Sequence, residues 1–434
     1  MYRFLSYIFF LLILINYSFN HLFASDNISD DKYDLIFNII CHDNKAGLSK
    51  DYKILKEELT QLGCKVNHVN IQFCVSSDEI TKIKNAAQTA DVNIFIEHLF
   101  EELFPLAGKN FFIPNPDYCF ASDEVISKLD LILCRTQETK RIFKPLNPNI
   151  FFLGFTSVDK SDSSIKKNYK KFLHLSTNQQ KGTNTIFNIW SSRPNHPNLT
   201  VVRGFSKDPD PNIPKLSFIN YYVPEEDMNI LQNRCGIHLC PSETEGFGHY
   251  IVEAMSTGAV VITTDAPPMN EFINDKRCLV AYGEIKTQRL ATSYCVDPTL
   301  LNASIENLLN LSREELEEIG QNNRIEYLKG KRTFQKRLRQ LISLTQNAAP
   351  AMHPPVNFVG KMINKNTYRL SWKKSPDVTV IAYHLYKNGK FIKKFSKKGP
   401  FKYEGLSLKK GKIVYSLVSV NNQGLKSKSV RVTL

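Results

Sequence analysis

Apolar and polar positions alternate along most of this chain in the way that buried strands and amphipathic helices require. Asp34 to Ile40 is a nearly continuous apolar run, which predicts a buried strand. Asp51 to Leu62 carries apolar side chains at helical spacing, and Gly63 stands where such a helix is expected to end. Lys65 to Val69 predicts the next strand. The folded part of the chain is therefore expected to open with a βαβ unit.

The same alternation of strands and helices continues to about Leu328. Parallel strands joined by helices form sheets that are covered on both faces, and roughly 300 residues suit two such cores better than one. The sequence predicts an α/β fold class with two Rossmann-like domains, residues 33–155 and 165–346. Two helices, from about Ser312 to Leu328 and from Thr333 to Leu344, are expected to close the second domain.

Beyond these domains the pattern changes to short alternating runs separated by turns. Residues 347–354 are rich in alanine and proline, as linkers often are. Residues 355–434 predict an all-β, immunoglobulin-like sandwich of antiparallel strands. Asn388-Gly389 predicts a tight hairpin, because both residues tolerate positive φ.

Residues 355–434 resemble a fibronectin type III domain across almost the full length of that family. Trp372 stands at the position of its core tryptophan, Leu408 and Tyr415 match its leucine-to-tyrosine spacing, and Asn421 to Gly424 match its last hairpin. The resemblance implies that Trp372 and Tyr415 are core residues.

Residues 1–25 predict a targeting segment. Arg3 precedes an apolar run from Phe4 to Ile15, which is short for a membrane span and suits a secretory signal peptide. Leu22 spoils the small-x-small pattern before a cut after Ala24, so an uncleaved signal anchor is the alternative. We expect the secretory pathway or membrane association, with the cytosolic face as the other possibility. Nine cysteines, none of them in the sandwich, do not predict a disulfide framework.

Positive charge is concentrated near the end of the chain. The formal net charge is +14, yet 23 of the 56 lysines and arginines and only two of the 42 acids lie from Lys331 onward. That part therefore carries +21, and the rest carries −7. Such a basic domain can bind an anionic surface or polymer. Nucleic acid is not expected, because the aromatic platforms that bind single strands are missing. A merely solvated surface is the alternative.

Candidate chemistry is concentrated around two glutamates eight positions apart, Glu245 and Glu253. Gly246-Phe247-Gly248 follows the first, and a helix is expected to start near Phe247 or Gly248 and to carry the second. The N–H groups at a helix start lack partners within the helix and suit phosphate. The two carboxylates can accept hydrogen bonds from sugar hydroxyls. A solvated helix face that happens to carry two acids is the alternative.

This stretch resembles the E-x7-E signature of retaining, nucleotide-sugar-dependent glycosyltransferases of family 4, which have the GT-B fold. The resemblance implies that Glu253 holds the nucleotide ribose and Glu245 the transferred sugar. It implies that Gly246, Phe247 and Gly248 present backbone amides to the donor. The expected partners are a nucleotide-diphosphate sugar and a glycan, lipid or protein acceptor. No cofactor and no metal ion are implied.

A second element resembles the same family. Lys171 to Ser176 predicts a strand, and Lys181-Gly182 opens the helix that follows it. The resemblance implies that this pair binds the donor diphosphate and that Lys181 neutralises it. The family usually has an arginine early in this loop, and none stands there. Arg203 as a replacement, or altered donor binding, are the alternatives.

The first domain is expected to supply the other wall of the cleft. The resemblance places Gly47 in a loop that faces the donor, and it implies that His98, at the end of a predicted strand, touches the transferred sugar. A histidine at a strand end is often a structural residue instead. Asn115 to Tyr118 and Arg135 to Glu138 are further candidate loops.

The sequence thus predicts a retaining hexosyltransferase-type enzyme with Glu245, His98 and Lys181 as catalytic residues. A non-catalytic secreted or surface carbohydrate-binding protein, acting through its basic sandwich, is a second possibility. The export signal and the missing arginine favour it, and the intact glutamate pair disfavours it. A GT-B relative such as a sugar-nucleotide epimerase or a glycan phosphorylase is the third.

Overall fold

The computed structural model describes residues 35–176, 178–193, 195–204, 206, 210–347, 354–364, 366–376, 380–406, 413–421, 427 and 429–434. The targeting segment 1–25 lies outside these residues, as do Leu408, most of the predicted last hairpin and most of the predicted linker. No helix within the described ranges is long and apolar enough to cross a lipid bilayer.

The first unit is a six-stranded parallel sheet with helices between its strands. Its strand order is β2-β1-β3-β4-β5-β6. The strands are β1 (Ile36–Cys41), β2 (Lys65–Asn70), β3 (Ala90–Ile96), β4 (Ala107–Ile113), β5 (Leu131–Cys134) and β6 (Ile150–Phe152). The helices are α1 (Gly47–Gln61), α2 (Ser77–Ala86), α3 (Asp123–Ser127) and α4 (Gln137–Phe143). Apolar side chains cover both faces of the sheet, as a parallel sheet requires.

The second unit is another six-stranded parallel sheet, and its order is β12-β11-β10-β7-β8-β9. The strands are β7 (Asn168–Leu175), β8 (Asn198–Val202), β9 (Leu216–Ile219), β10 (Cys235–Cys240), β11 (Val260–Thr264) and β12 (Leu279–Val280). The helices are α5 (Thr183–Ser192), α6 (Glu225–Arg234), α7 (His249–Ser256), α8 (Pro298–Leu309) and α9 (Arg313–Asn347). The α/β fold with two Rossmann-like sheets is confirmed.

The second unit also contains a hairpin that its sequence pattern did not reveal. Strands β13 (Tyr282–Gln288) and β14 (Ala291–Val296) pair with each other and belong to neither large sheet. The N–H of Leu290, in the turn, donates to the carbonyl of Pro116 in the first unit at 3.2 Å. Arg289 lies 3.9 Å from the ring centre of Phe120. The hairpin therefore bridges the two units.

The last helix of the second unit, α9, is continuous, so the predicted break near Gly330 is wrong. The segment contains no proline, and a single glycine costs a helix only about 1 kcal/mol. The far half of α9 lies on the first unit. There Gln335 donates to Glu58 at 2.9 Å, and Lys109 donates to the Thr345 carbonyl at 2.8 Å.

The third unit consists of two antiparallel sheets with strand orders β15-β16-β19 and β18-β17-β20-β21. Its strands are β15 (Val356–Asn364), β16 (Thr367–Lys373), β17 (Val380–Lys387), β18 (Lys390–Ser396), β19 (Lys402–Leu406), β20 (Val414–Asn421) and β21 (Val430–Thr433). Trp372 and Tyr415 are buried between them. Asn388 and Gly389 have φ values of 46° and 77° in the predicted hairpin turn. All nine cysteines of the chain are free thiols.

Candidate active site

The structure brings Lys181 and Glu245 into contact, although 64 positions separate them. Strands β7 and β10 are neighbours in a parallel sheet, so the loops after their carboxyl ends meet at one edge. The Lys181 ammonium donates to Glu245 Oε1 and lies 4.1 Å from the ring centre of Tyr250. The Ser242 hydroxyl donates to the same carboxylate oxygen at 2.5 Å. Two of the three predicted catalytic residues therefore form one charged pair.

Glycine is required where these two loops touch. Gly182 has φ = 67°, and a Cβ there would overlap the carbonyl oxygen of Pro241. A side chain at this position would push apart the loops that carry Lys181 and Glu245.

The glycine turn after Glu245 leads directly into α7, as predicted. Gly248 has φ = 99° and precedes the first helical residue, His249. The first N–H groups of α7 have no acceptor inside the helix and point toward the edge that carries Glu245. The Phe247 ring does not take part in this edge. It is buried at 5.3 Å from Phe155 and 5.4 Å from Phe272, so its side chain belongs to the core.

Glu253 lies inside the junction of the two units. It is 2% exposed, and its carboxylate accepts from Lys50 of α1 at 2.5 Å and from Ser157 at 3.2 Å. Burial opposes ionisation here, yet Lys50 and His249 keep the pKa of this carboxyl below its usual value. Glu253 is thus a charged residue held by a cation of the first unit.

A cleft of about 620 Å³ opens where β7 and β8 end and α5 begins. Ser176, Gly182, Thr183, Arg203 and Glu243 contribute to its walls. Arg203 forms an ion pair with Asp210 and donates to Asn220 at 2.9 Å. Arg203, the suggested replacement for the missing arginine, therefore lines the same cleft as Gly182.

His174, on β7 beside this cleft, is uncharged at neutral pH and cannot replace the missing arginine. Its Nδ1 lies 2.8 Å from the Leu239 carbonyl and its Nε2 lies 2.9 Å from the Thr183 hydroxyl. Burial lowers the pKa of His174 to about 4.

His98 lies on the first unit, just beyond β3. Its Nε2 is 3.1 Å from Glu97 Oε1, and its ring stacks on Phe73 at 4.2 Å. The His98 Nδ1 atom is buried without a hydrogen-bond partner among the described residues. Glu97 has φ = 68°, which is strained for a residue with a side chain, and such strain is concentrated at functional sites.

A chain of polar contacts connects this wall to the glutamate loop. Glu97 accepts from Asn115, and Asn115 accepts from Arg135. Gly246 packs so closely on Asn115 that a Cβ would overlap the amide. The two candidate loops left unranked by the sequence, around Asn115 and Arg135, therefore both border the site.

Asp117 is buried at the same place. Its Oδ1 has no hydrogen-bond partner among the described residues. Burial, and then the neighbouring charge of Glu245, raise the pKa of Asp117 to about 6. A buried carboxyl of this kind is typical of a site that awaits a polar ligand.

Gly47 lies elsewhere than expected. It is the first residue of α1 rather than part of a loop, and it is exposed with no atom within 4 Å of a Cβ position. The residues of α1 that contact the second unit beside the candidate site are Lys50 and Asp51. Asp51 lies 2.8 Å from Arg135 and 2.9 Å from His249. The only feature of the sequence that pointed to Lys50 and Asp51 was their position as polar residues near the start of a helix expected to border the cleft.

The sequence comparison matches a known protein family over the segment that carries the two glutamates of the candidate site. Residues 212–326 match the family of glycosyl transferases group 1, and that segment contains both Glu245 and Glu253. Curated proteins give no match to the sequence.

Solved structures of similar fold exist. Sucrose-phosphate synthase from Thermosynechococcus elongatus has a TM-score of 0.55 at 12% identity over 72% of this chain and 100% of its own. An E. coli structure described as trehalose-6-phosphate bound with UDP-2-fluoro glucose has a TM-score of 0.52 at 10% identity, over 73% of this chain and 100% of its own. The first two units therefore have the GT-B fold, and residues 212–326 of the second are similar to glycosyl transferases group 1.

Proposed function

We propose that this protein is a retaining glycosyltransferase that moves a sugar from a nucleotide-diphosphate sugar to a glycan, lipid or protein acceptor. The observation that carries the proposal is the contact between Lys181 and Glu245 at the edge of the second sheet. A cation and a carboxylate lie there beside an open helix start and a cleft. The match of the glutamate segment to group 1 glycosyltransferases supports the same reaction.

In the proposed reaction, the bond between the sugar anomeric carbon and the diphosphate oxygen breaks, and the acceptor oxygen bonds to that carbon. The acceptor proton passes to the departing diphosphate, so no separate general base is required. Lys181 stabilises the negative charge that develops on the leaving group, with Arg203 as the second cation on the cleft wall. Glu245 accepts hydrogen bonds from the transferred sugar. His98 and Asp117 lie on the wall from which the acceptor would approach.

Donor binding has to exchange two ion pairs in this proposal. Lys181 is neutralised by Glu245, and Glu253 is neutralised by Lys50. A diphosphate would take over Lys181, and ribose hydroxyls would replace Lys50 at Glu253. The second exchange requires the two units to separate, because Lys50 and Glu253 lie on opposite sides of their junction.

A thermal-unfolding screen with UDP, GDP and ADP sugars tests the proposal. A true donor at one hundred times its Kd stabilises the folded protein by about 2.7 kcal/mol, so we expect Tm to rise by roughly 3–5 °C. Lys181→Ala should abolish the rise, whereas Glu226→Gln, which changes an exposed glutamate on α6, should retain it. Nuclear magnetic resonance of a glycosylated product would then report whether the anomeric configuration is retained. A screen in which no donor shifts the native protein, or in which Lys181→Ala responds equally, would refute the proposal.

One observation favours the alternative of a non-catalytic carbohydrate-binding protein. Glu253 is already satisfied by Lys50 and Ser157 and is 2% exposed. Release of free nucleotide diphosphate from a bound donor separates the two functions. A protein that binds a donor and never cleaves it, with acceptor glycans present, would fit the alternative.

The third unit and the ends of the chain also enter the proposal. The third unit has one three-stranded and one four-stranded antiparallel sheet packed around Trp372, and this arrangement supports a fibronectin type III identity. The apolar residues of segment 1–25 support membrane association or export. We assign the basic third unit the secondary task of contacting anionic surfaces or polymers.

A further inference from the structure

A second cleft, of about 600 Å³, lies in the second unit away from the candidate active site. Apolar side chains, among them Tyr169, Leu311 and Leu316, contribute to its lining. Basic side chains make up most of the remainder, and no acidic residue takes part. The basic residues are Lys166, Lys167, Lys170, Lys171, Arg234 and Arg313. We call this place the basic cleft.

The basic cleft lies at the opposite edge of the sheet from Lys181 and Glu245. Asn168, at the start of β7, pairs with Cys235, at the start of β10, and Arg234 precedes that strand. Lys181 and Glu245 follow the other ends of the same two strands. Six to eight residues of strand separate these ends by on the order of 20 Å. The basic cleft is therefore separate from the proposed donor site.

Most of these cations lack an internal counter-charge. Lys166, Lys170, Lys171 and Arg234 form no ion pair with any acid in the part of the chain that the structure describes, whereas Arg313 pairs with Glu317 at 2.7 Å. Lys167 donates to the Asn233 carbonyl at 3.1 Å, and burial lowers the pKa of its ammonium to about 8. Like charges crowded around a partly apolar cleft repel each other, and an anion placed there removes that repulsion.

We infer that the basic cleft binds the headgroup of an anionic phospholipid and so attaches the second unit to a membrane surface. The cations suit the phosphate, and the apolar floor suits the adjoining glycerol and first acyl carbons. A small inorganic anion would contact only the basic residues, so it would leave the apolar lining of the cleft without a role. This attachment goes beyond the proposed transfer reaction and does not depend on it. The apolar run Phe4–Ile15 predicts membrane association independently.

Vesicle co-sedimentation of the full-length chain tests this inference without any nucleotide sugar. We compare vesicles of phosphatidylcholine with vesicles containing three parts in ten of phosphatidylglycerol. The triple variant Lys166→Glu, Lys170→Glu, Lys171→Glu reverses three exposed charges of the basic cleft. The matched control, Lys65→Glu, Lys82→Glu, Lys144→Glu, makes the same net change on exposed positions of the first unit.

We expect the native chain to prefer anionic vesicles and the cleft variant to lose roughly 100-fold or more of that preference, at about fivefold for each lysine. The control should keep most of the preference. Insertion of the first residues contributes equally to both kinds of vesicle and cancels in the ratio. Equal preference of the native chain for both kinds of vesicle, or an equal loss in the control, would overturn the inference. If the triple variant does not fold, as judged by its thermal transition, Arg234→Glu replaces it with about a fivefold expected loss.

Discussion

At the scale of single residues, Asp117 couples the candidate active site to the stability of the fold. Its pKa of about 6 in the folded protein lies well above the 3.8 of an ordinary aspartate. An unfolded chain therefore releases this proton near pH 4, whereas the folded protein holds it until about pH 6. Between these values the unfolded state binds fewer protons, so the contribution of Asp117 to stability falls as pH rises.

Replacement of Asp117 by asparagine should remove this pH-dependent cost. We expect Asp117→Asn to raise the free energy of unfolding by about 2–3 kcal/mol at pH 7.5 relative to the native protein, and by much less at pH 4. Urea unfolding at the two pH values measures the difference. The same replacement at the exposed Asp123 is the control. A gain at pH 4 as large as that at pH 7.5 would show that ionisation is not its cause.

The charges around the site also show what can and cannot be predicted from a sequence. Glu245, Glu253 and Lys181 stand in local motifs, so their type and spacing were sufficient to propose them. Lys50 has no motif, because its importance comes only from the approach of α1 to α7. The burial of the Phe247 side chain has no local sequence signal for the same reason, since its aromatic neighbours come from separate segments.

At the scale of elements, α9 shows how two glycines of one helix can have opposite effects. Gly330 has no atom within 4 Å of a Cβ position, whereas a Cβ on Gly320 would overlap the carbonyl oxygen of Gly258. Glycine is conformationally expensive in a helix unless close packing requires it. The prediction placed Gly320 inside one helix and Gly330 between two helices, because the sequence pattern does not show which glycine is closely packed.

Two alanine replacements in α9 test this difference. Gly330→Ala should raise the free energy of unfolding by about 0.5–1 kcal/mol, because alanine favours the helix. Gly320→Ala should lower it by about 1–3 kcal/mol, because α9 must move away from the turn at Gly258. Chemical denaturation of both variants provides the measurement, and each serves as the control for the other. Equal effects of the two replacements would contradict the packing described for Gly320.

The bridging hairpin escaped prediction for a physical reason. Six of the seven residues of β13 are exposed, so the alternation of apolar and polar positions that identifies a half-buried strand is absent. Strands β1 and β3 of the first large sheet were predicted from the sequence, and almost all of their positions are buried. Sequence analysis thus predicted strands whose buried positions form a continuous apolar run. It missed the β13–β14 hairpin, which is mostly exposed and contacts the first unit only at its tip.

At the scale of the whole molecule, several side chains of the second unit are bound by the first. Glu271 is the clearest case, because its carboxylate accepts from the N–H groups of Gln137 and Glu138 at 2.6 and 2.8 Å. These are the first two residues of α4, where a negative charge is favourable. The contact joins the two units directly beside the candidate site.

Loss of this contact should loosen the junction. Glu271→Gln keeps one acceptor oxygen but removes the charge, and we expect the free energy of unfolding to fall by about 1–2 kcal/mol. Small-angle scattering should show a larger radius of gyration at neutral pH. Glu318→Gln, on the exposed side of α9, is the matched control and should change neither quantity appreciably. An unchanged radius together with unchanged stability would mean that Glu271 does not hold the units together.

Three of the connections between the first two units differ in kind. The chain crosses once near Gly154, and α9 returns beside that crossing, where Arg337 lies 4.4 Å from the ring centre of Phe152. The third connection is the tip of the β13–β14 hairpin, which is held by one backbone hydrogen bond and the contact of Arg289 with Phe120. In mechanical terms the first two act together as a pivot and the third as a latch. Opening of the cleft then requires the latch to release together with the Lys50–Glu253 and Glu271 contacts, and a turnover limited by that opening would slow in viscous solvent.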